Sequence, residues 1–553
     1  MTRALYALAL LALGPGALAQ QPPTGGALQV PPAPQVPRTE PEIRIEQRTS
    51  PAPVPPGDAV RIVVRSLRVE GATLFPEPEL IALTGFRPGS ELALVELQAM
   101  AARITDHYRR NGYFVAQAYL PAQEIRDGAV TIAVSEGRLG NVQLRNRSNL
   151  RNGVAQSALS GLQPGEVLAI APVESRLLLL SDLPGLDVHS TLVPGTSPGT
   201  SDLIVDIDQG RRVTGSVDAD NAGNRFTGAW RVGATVNLNE PLGLGDVASL
   251  RLLTSGEGLK YARASYQLQA GRAQLGAAYS WLEYRLGKEF ESLGAHGTAQ
   301  IASVYGRYPV IRSRNNNLYL QLAFDAKKFD DFVDSVPAET ERNSRVLMAS
   351  VFGDHRDGIG GGGVSSYFVT WSTGRLEIET PAALAQDAAT ARTNGHFNKL
   401  SYSAMRLQRA GGPFSVYAGV SGQLASKNLD VSEKMELGGM NGVRAYPEGE
   451  AYADQGWLFT IEGRMDLPPL PAPIPGRMQL VAFADTGHVT LNRDPWLAGD
   501  NHRTLSGAGV GVNWADPGNF LVRAFYAHKL GSEKATSAPD RSGRFWIQLV
   551  KYF

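Results

Sequence analysis

The 553-residue chain contains no cysteine. That removes disulfides, thiol nucleophiles and cysteine-type zinc sites together; it suits an oxidising compartment without proving one. Net charge is also absent, because 53 Lys+Arg balance 53 Asp+Glu, so composition gives no pull towards nucleic acid or another polyanion. Beyond the N-terminus no uninterrupted apolar run approaches the roughly twenty residues that a transmembrane helix needs. A membrane role is then open only through a β-barrel, whose alternating strands escape hydropathy scans. The eight histidines are scattered, and none forms HExxH or a cluster with metal-ligand spacing. No Ser/His/Asp spacing stands out, so neither an enzyme nor a cofactor or metal site is expected.

What is present starts at the N-terminus. Met1-Thr2-Arg3 is a short positive start, residues 4–13 are apolar, and Ala17-Leu18-Ala19 is a small-x-small cleavage site. Residues 1–19 therefore read as a secretory signal peptide, and the apolar run is too short to span a bilayer. Residues 20–61 are Pro- and Gln-rich without apolar periodicity, and are expected to be a disordered or extended periplasmic segment. Ile43 and Ile45 alternate there with charges, and the flanking prolines oppose a long helix.

Residues 62–137 predict a compact α/β unit. Residues 64–70 alternate as a strand, and 76–83 and 92–110 read as helices. In the second helix Leu94, Leu97, Met100, Ala101 and Ile104 form one stripe at 3.6 spacing. Residues 113–119 and 129–134 read as strands with Arg126-Asp127-Gly128 between them. Residues 138–210 repeat the order: a strand at 142–145, helices near 150–159 and 172–180, and strands at 186–193 and 202–208.

From residue 211 to 553 helical periodicity stops. Trp230, Val232, Ala234, Val236 and Leu238 alternate with polar or small residues, as do Leu275, Ala277, Tyr279 and Trp281, and later Trp457, Phe459, Ile461 and Met465. One lipid-compatible face and one polar face is the pattern of a water-filled transmembrane barrel. At roughly twenty residues per strand plus connection the stretch holds about sixteen strands, with fourteen or eighteen also open. The last strand, 545–553, places Phe545, Ile547, Leu549 and Phe553 on one face and Trp546, Gln548, Val550 and Tyr552 on the other. Lys551 falls on the apolar face. That would cost about 2–4 kcal/mol at the bilayer centre but almost nothing at the rim, where it is expected to snorkel.

Two formal motifs carry nothing. Gly358-Ile359-Gly360-Gly361-Gly362-Gly363 contains GxGxxG, but a strand follows it, so no helix N-terminus awaits a phosphate. The acidic 218–228 and 239–246 stretches lack calcium-loop spacing and read as hairpin connections.

The most informative stretches are Gly442-Val443-Arg444-Ala445-Tyr446, between strands, and Phe483-Ala484-Asp485-Thr486-Gly487 about forty residues later. Asp485 shares parity with Gln479, Val481 and Phe483, on the lumen face at the end of a strand over 478–484. A Val-Arg-x-Tyr loop followed by Phe-x-Asp-x-Gly resembles the Omp85 superfamily. Together with the tandem units, which resemble a pair of POTRA domains, and the terminal aromatic, it resembles the two-partner secretion branch (ShlB/FhaC/HecB). The resemblance implies an outer-membrane barrel of about sixteen strands behind two periplasmic POTRA domains. It implies a partner too, a large unfolded exoprotein of haemolysin, adhesin or toxin type. The POTRA domains would capture the exoprotein's N-terminal segment, and it would cross the lumen without ATP. Val443, Arg444, Ala445 and Tyr446 would belong to a loop folded into the barrel, with Arg444 paired to Asp485 of the Phe483/Asp485/Gly487 motif. Ala445 stands where Gly is commoner, which puts the loop backbone there in question. Outer-membrane lipid and the barrel-assembly machinery are the other implied partners. An Omp85 assembly factor is the main alternative, but it usually carries five POTRA domains and this chain has room for two.

Overall fold

The computed structural model describes Thr24, Gly26, Glu42–Ile45 and residues 61–553 apart from 257, 337 and 472. The signal peptide and most of the Pro-rich stretch lie outside the described residues. Within that stretch, Glu42–Ile45 forms strand β1.

The first α/β unit runs β2 (Arg61–Val64), β3 (Ser66–Glu70), α1 (Glu77–Thr84), β4 (Ser90–Ala93), α2 (Leu94–Arg110), β5 (Gln117–Tyr119) and β6 (Ala129–Ser135). β6 pairs with β3 in parallel and with β5 antiparallel, while β2 and β4 form a separate ribbon. The strand expected over 64–70 is thus two, and the 113–119 strand is shorter than its pattern. Helix α2 starts where Glu96 reaches back to the Ala93 amide at 2.7 Å, and it stops at Asn111 and Gly112, the latter at φ +87°. Leu97, Met100, Ala101 and Ile104 are buried as their spacing requires. Leu94, the first helical residue, lies beyond that apolar cluster and is 56% exposed.

One buried carboxylate ties this unit together. Glu136 accepts from the Thr73 amide (2.6 Å) and hydroxyl, the Leu74 amide (2.8 Å) and the Tyr108 hydroxyl (2.9 Å). Burial alone would raise its carboxyl, but these donors outweigh it and hold the group below its ordinary value of 4.5. A lowered folded-state pKa stabilises the unit above the ordinary value, and that contribution is lost as pH falls through the folded-state value. Hydrogen exchange of β6 amides, corrected for intrinsic rate, is therefore expected to lose protection on acidification. Glu136→Gln is expected to have lost that increment already at pH 7.

The second unit runs β7 (Arg138–Arg147), α3 (Asn152–Leu159), α4 (Ile170–Ser181), β8 (Leu186–Pro194) and β9 (Thr200–Gln209). Leu177, Leu180, Leu203, Val205 and Ile207 fill its core. The sheet order is β1-β8-β9-β7, with β1 parallel to β8.

Sixteen antiparallel strands, β10 (Val213–Asp220) to β25 (Gly543–Tyr552), then close into a barrel. Trp230, Val232, Val236, Leu275, Tyr279, Trp457 and Ile461 are all exposed on its outer face. On a closed barrel that side meets lipid. Strand lengths are uneven: β10 has 8 residues and β25 has 10, whereas β17 (Ala338–Asp357) has 20. The wall closes between β10 and β25 over a short register, from Ser216 opposite Tyr552 to Asp220 opposite Gln548. The Lys551 ammonium reaches down to the Asn519 side chain in the turn before β25. Gly358–Gly363 is the turn leading from β17 into β18 (Gly363–Ile378), and the acidic side chains of β10 are consumed by arginines: Asp218 by Arg251 and Asp220 by Arg231, both at 2.9 Å. The second α/β unit docks on the barrel's turns. Arg312 grips Asp182 with two bonds of 2.7 and 2.8 Å, Arg314 meets Glu174 at 2.8 Å, and the Arg151 amide donates to the Gly243 carbonyl.

Candidate functional site in the barrel lumen

Residues 426–454 connect β20 (Phe414–Ala425) to β21 (Gln455–Asp466) and fold back into the barrel. The receiving wall is β21 and β22 (Arg477–Thr490), whose register sets Asp485 opposite Thr460 and Phe483 opposite Glu462. Strand β22 thus continues past Asp485 to Thr490. The expected strand end at 484 is wrong because the alternation persists through Gly487 and Val489. Every second residue faces inward, so Phe483, Asp485 and Gly487 present one patch to the loop.

Each member of that patch receives something different. Asp485 accepts from Arg444 Nε (2.9 Å), Arg444 Nη2 (2.8 Å), the Arg444 amide (3.1 Å) and Thr460 Oγ1 (3.0 Å). Phe483 offers its ring face, with the guanidinium carbon 3.4 Å from the centroid, and Phe525 stands edge-on to Phe483. At Gly487 a side chain would collide with Leu437 of the loop. Of the loop motif, Val443, Ala445 and Tyr446 are fully buried, and the Tyr446 hydroxyl donates to the Glu533 carbonyl at 3.0 Å. Ala445 has no positive φ and packs where a side chain on Gly507 would strike it, so this backbone does not need glycine there.

Several partners lay outside the two motifs. Arg444 Nη1 donates to Glu462 at 2.8 Å, and Arg464 holds the other oxygen of that carboxylate. Trp546 of β25 donates to the Arg444 carbonyl at 2.7 Å, which ties the loop to the last strand. Further along the loop, Glu450 is bonded by Arg503, Thr536 and Ser537, Glu433 by Lys327 and Lys399, and Asp430 by Arg342, which also holds Asp331. The alternation of 457–465 already put Thr460 and Glu462 on the polar face; no local pattern pointed to Trp546 or Arg503. Thr24 and Gly26, expected in the periplasm, instead lie beside this loop. Thr24 Oγ1 is 3.4 Å from Arg342 Nη2, and a side chain on Gly26 would strike Ser432.

The charges are unequal in what they hold. Asp485 takes four bonds, Glu462 one from the loop. Losing one partner of a buried pair costs about 3–5 kcal/mol, because the other charge is left buried. Asp485→Asn is therefore expected to lower the temperature of barrel unfolding, followed by heat-modifiable gel mobility, more than Glu462→Gln. Equal shifts would mean that the two carboxylates share the arginine evenly.

Comparison with known proteins gives this geometry its context. The family model described as haemolysin secretion/activation protein ShlB/FhaC/HecB matches residues 199–514, and the ShlB-type POTRA model matches residues 62–137. The chain belongs to the ShlB/FhaC/HecB family. It is 28% identical over 477 residues to the heme/hemopexin transporter protein HuxB of Haemophilus influenzae, covering 84% of this chain and 82% of HuxB. It is 22% identical over 467 residues to the outer membrane transporter CdiB of Dickeya dadantii, covering 82% and 80%. In fold it is similar to CdiB from Escherichia coli, with a TM-score of 0.68 at 21% identity over 92% of this chain and 93% of that one. It is also similar to BamA from Haemophilus ducreyi lacking POTRA domains 1–3, with a TM-score of 0.54 at 15% identity over 89% and 100%. As a ShlB/FhaC/HecB protein the chain is an outer-membrane transporter that secretes an exoprotein by the two-partner route, with its POTRA domain in the periplasm. The assembly-factor alternative is left with a likeness of fold alone.

Proposed function

We propose that residues 426–454 act as a lid in the conduit, that Arg444 is its anchor, and that both α/β units are POTRA domains that capture an extended N-terminal segment of the exoprotein. The observation that carries the lid reading is the fork of Arg444 on Asp485. It is a buried, bidentate and ring-stacked contact in the wall of what would be the path. Such a contact contributes little net stability after desolvation, so its value is positional. Capture would use strand addition, in which backbone hydrogen bonds supply affinity and side-chain pockets supply choice. The outer apolar faces would meet outer-membrane lipid, and the aromatic end of β25 would be read by the barrel-assembly machinery during biogenesis. Folding of the exoprotein outside would make its passage directional without a nucleotide.

Comparative proteomics of culture medium and outer membrane, with and without the gene, tests the whole reading. Loss of one or two large secreted proteins with other barrels unchanged is expected. A general loss of outer-membrane barrels would instead make the chain an assembly factor.

A further inference from the structure

The second α/β unit carries an edge strand that the chain itself half covers. β8 has nine residues, Leu186–Pro194, and β9 pairs with it on one side. On its other side β1 runs parallel, with Glu42 opposite His189, Ile43 opposite Ser190, Arg44 opposite Thr191 and Ile45 opposite Leu192. An edge strand is a row of unpaired amides and carbonyls, a template for any extended chain. The other edges are poorer templates. β5 is three residues long. On β3 the Val69 amide is spent on the Glu77 carboxylate at 2.9 Å. β7 is engaged at its start by backbone bonds between Leu139 and both Gly165 and Glu166.

We infer that the outer edge of β8 is where the exoprotein's strand docks, and that Glu42–Ile45 is a built-in occupant which that strand must displace. The inference rests on the proposed capture of exoprotein by the POTRA domains. The occupant's sequence, Glu42-Ile43-Arg44-Ile45, shows the chemistry the edge accepts: an extended stretch of alternating charged and β-branched apolar residues, running parallel to β8. The occupant covers four positions of nine, so a guest pairing along the whole edge gains hydrogen bonds that the occupant lacks. The covalent tether in turn gives the occupant a high effective concentration, which short or poorly matched guests do not overcome. The edge is thereby selective for long extended segments and closed to casual strand addition.

A cysteine-free chain makes the test clean. Arg44→Cys/Thr191→Cys full-length protein, treated in cells with a reducible bis-methanethiosulfonate, is expected to cross-link within one chain. Release of the exoprotein identified by proteomics should fall by about tenfold or more and return on reduction. Absence of the cross-link, or undiminished release from cross-linked cells, overturns the inference. If unmodified and gene-deleted cells release the same proteins, it is the transporter reading that fails instead. In a second arm, purified full-length Arg44→Pro/Ile45→Pro protein, whose β1 lacks backbone donors, is titrated with a fluorescent peptide of residues 40–47. Binding at least about fivefold tighter than to the unmodified protein is expected of a vacated edge. Equal affinity, or no binding to either protein, overturns the competition.

Discussion

Arg444→Ala is expected to cut release of the exoprotein by about tenfold or more while a heat-modifiable barrel persists in the outer membrane. The substitution removes three side-chain bonds and a guanidinium stacked on Phe483, and it leaves Asp485 and Glu462 buried without their cation. The wall survives because its strand pairing does not depend on the loop. The lid loses its fixed seat, which protease cleavage within residues 426–454 on whole cells would report. Arg444→Lys should rescue only partly, since an ammonium restores the charge but neither the fork nor the stacking. Release from the alanine variant at the unmodified rate would remove Arg444 from the gating role.

Deleting residues 62–209 is expected to have a still larger effect, with no detectable release and no binding of exoprotein. The barrel should again fold, because all sixteen of its strands lie downstream. The lost contacts are rim contacts, Arg312 with Asp182 and Arg314 with Glu174, and arginines on turns are readily solvated. The deletion also removes β8 and with it the seat of β1. Retained binding of exoprotein by the truncated barrel would move recognition into the lumen or onto the outer loops.

Periodicity carried most of the fold. Period-two alternation located the lipid face because a membrane penalises every misplaced polar residue, and the same parity set Asp485 and Glu462 on the inner wall. It could not end β22 at the right residue, since a strand stops where its neighbour's register stops, here at Thr490 opposite Gln455. Nor could it find Trp546 or Arg503, which reach the loop only because the barrel closes and brings distant strands round to it. The Pro-rich stretch was misread for a related reason. Four residues with little pattern of their own became a strand because β8 supplied the other half of the ladder.

The uneven strands have a consequence for the surrounding bilayer. Eight residues at about 3.4 Å each, tilted by about 40°, climb about 20 Å, which is short of the roughly 25 Å apolar band of such barrels. The twenty residues of β17 climb about 50 Å by the same arithmetic and overshoot it. Lipid around this protein therefore meets a collar of unequal height. It must pinch inward beside β10, where Val213 and Val217 offer only a short greasy strip, and it relaxes on the far side. The molecule thus carries its own local dent in the membrane, centred on the seam where the first and last strands meet.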